Sequence, residues 1–150
     1  MFFEQLFSNK PFVCAALGWV TAQVLKFLIS LLIDRKLDWR RFFGMGGMPS
    51  SHTAFVFSLA LSTGFVEGFA STYFAIAFAL MVVVIYDAMG VRYETGKQGK
   101  VINQILRELF MEGKPLTDEK LKELVGHSPL EVLGGVVVGL IVTLLVLASY

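Results

Sequence analysis

Cys14 is the only cysteine in the chain, so no disulfide can form within it and the redox compartment cannot be read from thiol pairing. Histidine is nearly as scarce: His52 and His127 are the only two in 150 residues. Neither sign of charge is in surplus. Thirteen Lys and Arg stand against 12 Asp and Glu, for a net charge of +1, which gives no footing for a nucleic-acid partner. What the chain lacks most is polar surface. It is 55% hydrophobic with a mean hydropathy of +0.68, more apolar side chain than one small soluble core can hold. No repeat, low-complexity tract or separate soluble domain is evident, so 1–150 reads as a single membrane domain.

The apolar residues gather into four segments, at about 12–33, 49–66, 71–90 and 128–149. Each is close to the roughly 20 residues that a bilayer-crossing helix needs. The first is too long for the apolar part of a secretory leader and is followed by no small-residue cleavage pattern, so it reads as a retained helix. The connection at about 91–127 contains "KVINQILRELF" (100–110). Val101, Ile102, Ile105, Leu106 and Leu109 fall on one side of that helix, as in one lying at the membrane interface. Thr117 can cap a second short helix, with Asp118 and Glu119 in its first turn and Gly126 ending it. The expected fold is an all-α integral membrane protein with about four transmembrane helices plus one or two short amphipathic helices.

Basic residues are absent from the connection around 67–70 and sparse before the first segment, where Lys10 stands alone. They crowd into the other two connections: Arg35, Lys36, Arg40 and Arg41 in one, and seven, from Arg92 to Lys122, in the other. That asymmetry places both basic connections in the cytoplasm and both termini on the opposite face, the bacterial plasma membrane being the expected location.

With that topology three polar stretches meet at one membrane face. They are "GGMPSSHTAF" (46–55), "YDAMGVR" (86–92) and "GHSPLEVLGG" (126–135). Gln23, Lys26 and Ser30 share a face of the first helix and offer a fourth wall. Lys26 has an alternative in snorkelling to the headgroups. Taken singly, each stretch has an ordinary reading as an interfacial cap or a surface ion pair. Their convergence points to one site, because polar groups near hydrocarbon turn towards a cavity or a partner.

The chemistry available there is phosphoryl transfer. An imidazole is a competent nucleophile when a carboxylate holds its other nitrogen, and Glu131 stands four residues after His127. A second imidazole, His52, can protonate the leaving oxygen and then activate water. Arg92, Lys97 and Lys26 can offset phosphate charge, and Asp87 can support Arg92. Ser50 and Ser51 stand where a helix begins, with Pro49 expected at its first position and free amides favouring an anion. Gly135 and Gly139 form a small-xxx-small pair for packing against another helix. The spacing of Asp87, Glu131 and the histidines carries no specific metal signature.

Together these stretches resemble a known family. "MPSSH" (48–52) is similar to the PSGH motif of the type-2 phosphatidic acid phosphatases and vanadium-dependent haloperoxidases. "HSPLEVLGGVVVG" (127–139) is similar to the end of their third motif. With "YDAMGVRYETGKQ" (86–98), the set resembles the divergent membrane branch of that superfamily across nearly the whole chain. The resemblance implies an all-helical, generally metal-independent protein without cofactor, acting on a phosphorylated lipid or polyprenyl substrate among membrane lipids. It implies His127 as nucleophile, His52 as acid, Glu131 as orienting carboxylate, and Ser50 and Ser51 in the phosphate turn. The pattern departs at Ser51, where the family has glycine, and at Glu131, where it has aspartate. Leu121 stands where an arginine is expected, and the first motif's Arg-Pro pair is absent. Four spans are fewer than the usual six, which a homodimer could complete. A non-catalytic protein binding an anion or lipid headgroup is the alternative.

Overall fold

The computed structural model describes residues 1–34, 47–109 and 127–149, with the backbone alone at 33, 34, 91, 92 and 107–109. Six helices follow one another: α1 (Phe2–Ser8), α2 (Lys10–Asp34), α3 (Ser51–Glu67), α4 (Thr72–Met89), α5 (Val91–Leu109) and α6 (Pro129–Ala148). The described residues contain no strand. Each of the four apolar segments has become a helix within a few residues of its expected bounds. Among the described residues three stretches are long and apolar enough to cross a membrane: Lys10–Leu32, Thr72–Leu106 and Pro129–Ala148. The chain is an all-α integral membrane protein.

The fourth expected span, α3, has 17 residues, about 25 Å at ~1.5 Å per residue. It is the central helix, packed by α2, α4 and α6. Its buried positions are small or hydroxylic: Ser51, Thr53, Ala54, Val56, Ser58, Ala60, Ser62, Thr63 and Gly64. Large side chains face outward instead, including Leu17 and Val20 on α2, Ile76 and Val83 on α4, and Leu133 and Leu145 on α6. This inversion of the soluble pattern follows from the solvent. Lipid rewards no burial of leucine, so helices associate through close backbone approach and hydrogen bonds between small polar groups. Thus the Ser58 hydroxyl donates to the Gly139 carbonyl across the α3–α6 seam at 3.2 Å, while the Ser62 and Thr63 hydroxyls donate back to carbonyls of their own helix.

Glycine sets the spacing of that seam. A Cβ on Gly135 would stand 2.5 Å from the Ser50 carbonyl oxygen and 2.8 Å from the Thr53 Cβ. From α2, a Cβ on Gly18 would meet the same Ser58 hydroxyl at 2.5 Å, so α2 and α6 both close on one stretch of α3. The small-xxx-small pair therefore does pack a helix, and that helix is α3.

Two elements differ from expectation. A short helix, α1, precedes the first span, with Phe2, Phe3 and Phe7 exposed. The amphipathic helix expected at 100–110 begins earlier, at Val91, because only Gly90 interrupts the helix after α4. The helix expected after Thr117 lies outside the described residues.

Candidate active site

The site is built where α3 and α6 begin and α4 ends. Ser50 is the N-cap of α3, its hydroxyl oxygen accepting from the Thr53 N–H at 3.3 Å and the Thr53 hydroxyl at 2.9 Å. Pro49 therefore stands before the helix and not at its first position, because the serine has taken the capping role. Proline at the first position occurs instead in α6, at Pro129. Before Pro49, Gly47 adopts φ +88°, a backbone region that side chains with a Cβ seldom enter.

Two backbone hydrogen bonds stitch the elements together. The Ser50 N–H donates to the Glu131 carbonyl at 2.9 Å, tying α3 to α6. The His127 N–H donates to the Ala88 carbonyl at 2.9 Å, tying the chain before α6 to the end of α4. His127 is thereby held in a non-helical position and is only 4% exposed.

Its partner arrives by an unexpected route. Ser128 caps α6 and Glu131 completes the reciprocal capping box, one Glu131 oxygen accepting from the Ser128 N–H at 3.2 Å. That same Oε2 lies 2.9 Å from His127 Nδ1. A carboxylate there selects the tautomer protonated on Nδ1 and leaves Nε2 with its lone pair. The S-x-x-E spacing of Ser128 to Glu131, with Pro129 at the first helical position, was legible in the sequence as a helix start.

The ring of His52, in the first turn of α3, stands 6.1 Å from that of His127, centroid to centroid, tilted by 55°. The gap is too wide for the rings to touch and close enough for both to reach one tetrahedral group. His52 is exposed where His127 is buried. Ser50 and Ser51 are buried beside them, and the Ser51 N–H has no acceptor among the described residues.

Lys26 supplies positive charge from α2. It is 6% exposed, its stem runs 3.7 Å from where a Gly47 Cβ would stand, and Glu131 is the carboxylate whose field reaches it. No ion pair engages its ammonium among the described residues. One turn earlier Gln23 is also 6% exposed, its Oε1 without a hydrogen-bond partner among the described residues. Gln23 joins the site candidates on that ground; its spacing from Lys26 was the available signal. Both lie well inside the bundle, because α2 continues about 12 Å beyond Lys26 at ~1.5 Å per residue. An inward-facing Lys26 is thus the reading the fold supports over snorkelling.

The other expected cations are placed differently. Lys97 lies on the exposed side of α5, 2.7 Å from a Glu94 carboxylate oxygen and over the Tyr93 ring. Arg92 is in the first turn of α5, and its side chain lies outside the described residues. Asp87 is half-buried beside Ala88 at the end of α4. No group of three or more His, Cys, Asp or Glu is placed to hold a metal ion among the described residues.

The order of these parts along the chain matches a known pattern, that of the divergent PAP2 family, over residues 7–142. The chain belongs to that family. It is also 36% identical, over 150 aligned residues, to the uncharacterized membrane protein YuiD of Bacillus subtilis (strain 168), covering 93% of this chain and 95% of the relative. No solved structure matches it.

Proposed function

We propose that this member of the divergent PAP2 family is a membrane phosphatase that hydrolyses a lipid-linked phosphomonoester or diphosphate at the cytoplasmic face. The supporting observation is the buried His127 with Nδ1 bound by Glu131, its ring 6.1 Å from that of His52. In the first step His127 Nε2 attacks phosphorus, the bond from phosphorus to the leaving oxygen breaks, and protonated His52 gives that oxygen its proton. In the second step neutral His52 takes a proton from water, the hydroxide attacks phosphorus, and the N–P bond breaks to release phosphate. Lys26 and the first-turn amide of Ser51 balance the phosphoryl oxygens, with Ser50 holding the turn in shape. Arg92 and Lys97 are the remaining proposed phosphate ligands, and Asp87 a support for Arg92.

Phosphate release from phosphatidate, phosphatidylglycerophosphate and undecaprenyl diphosphate, in detergent micelles, tests this. Wild type is expected to turn over at least one of them and to be trapped by vanadate. His127→Ala is expected to lose turnover by a factor on the order of 10⁴ or more, as when a covalent nucleophile is removed. Equal behaviour of wild type and His127→Ala on every substrate rejects the proposal. Headgroup binding without turnover establishes the second reading, an anion-binding protein, which the leucine at position 121 and the missing Arg-Pro pair favour.

A further inference from the structure

The site has a second, apolar compartment. Helices α2 and α4 both pack on α3 and hardly on each other. Between them lies a groove of about 410 Å³ lined by Trp19 of α2, His52, Phe55 and Val56 of α3, and Leu80 and Val84 of α4. That volume falls within the ~300–1,000 Å³ of ordinary ligand pockets. Its outer walls belong to helices whose exposed residues are apolar, so it lies open to lipid. At one end stands His52, whose ring centre is 6.1 Å from that of His127.

We infer that this groove takes the hydrocarbon chain of the substrate, and that the substrate carries its phosphate directly on that chain, as an alkyl or prenyl phosphate does, in place of a diacylglycerol phosphate. The inference rests on the phosphatase reading for what happens at the phosphate. It goes beyond that reading by separating two classes of lipid. His52 protonates the leaving oxygen, so the first atoms after that oxygen lie against His52 and pass at once into the groove. From His52 to Val56 is one helical turn, about 6 Å. In a diacylglycerol phosphate that distance is occupied by a glycerol unit with two ester groups. Among the described residues the lining offers those carbonyls only the Trp19 indole N–H besides His52, and an ester buried without a donor is disfavoured. A plain hydrocarbon chain asks for no hydrogen bond and fits aromatic and branched aliphatic walls.

Two kinetic comparisons test the groove. At equal surface fraction in mixed micelles, kcat/KM for farnesyl phosphate is expected to exceed that for phosphatidate at least tenfold. Phosphatidate equal to or better than farnesyl phosphate overturns the assignment. For water-soluble phosphates, kcat/KM is expected to rise by up to about fourfold per methylene from methyl to octyl phosphate. Leu80→Trp and Val84→Trp, which fill the groove from its lipid side, are expected to lower the octyl-to-methyl ratio at least tenfold. A ratio cancels any difference in the fraction of folded protein, so an unchanged ratio in both variants also overturns the assignment. If no substrate turns over, the phosphatase reading falls while the groove is judged by labelling. A dodecyl phosphonate bearing a diazirine on its chain is expected to mark Trp19, Leu80 or Val84, and marking confined to other helices rejects the groove.

Discussion

The two flanks of α3 are built on opposite rules. Against α6 it approaches so closely that Gly135 has no room for a methyl group, and hydrogen bonds cross between the backbones. Towards α4 it leaves an apolar cleft, and the outer face of α4 carries exposed Tyr73, Ile76 and Val83. Beside the first flank, Glu131 Oε2 lies 2.9 Å from His127 Nδ1 and the His127 ring 6.1 Å from that of His52. The second makes few demands on shape. Close packing is concentrated at the groups proposed to react, and the surface that faces lipid is left to be filled by lipid.

The largest effect expected within the tight flank comes from Glu131→Gln. Glutamine still suits a capping box, so α6 should keep its start, but its amide no longer imposes the Nδ1–H tautomer on His127. Turnover is expected to fall about 10²- to 10⁴-fold with little change in helix content, measured by phosphate release and circular dichroism. A fall in helicity matching the fall in rate would show that the cap alone matters.

Lys26→Met comes next. A buried ammonium that no ion pair engages among the described residues gains a partner when an anion arrives, so vanadate or phosphate affinity is expected to weaken about 10- to 100-fold. Thermal stability should hold or rise, since a buried charge leaves the interior. A loss of stability with unchanged anion affinity would assign Lys26 to the scaffold.

Gly135→Ala strikes the seam without touching a reacting group. The new methyl meets a backbone carbonyl that cannot turn aside, and a cost of about 1–3 kcal/mol is expected in detergent unfolding. A truncation on the outer face of α4, Ile76→Ala, is expected to cost no more than about 0.5 kcal/mol. If the two variants prove equally destabilised, the contrast between the flanks is wrong.

The helices were legible because hydrocarbon imposes length and composition on any segment that crosses it, and segments such as 128–149 have few other readings. The pairing of His127 with Glu131 was legible as a four-residue interval. The route that closes it was marked only by the S-x-x-E spacing: His127 lies before the helix, and the Ser128 capping box brings the carboxylate back to it. Sequence placed Pro49 at the first position of α3; the competing demand of Ser50 for the N-cap moved it out. The groove could not be read at all. Trp19, Leu80 and Val84 look like any lipid-facing residues until the angle between α2 and α4 is known.

One carboxylate oxygen, Glu131 Oε2, serves two masters: it closes the first turn of α6 and orients the His127 imidazole. Reactivity and local order are therefore one variable at this point. If α6 frays by a single turn on warming, the ring is released with it, and the proposed turnover is expected to stop at temperatures where nearly all of the helical signal survives.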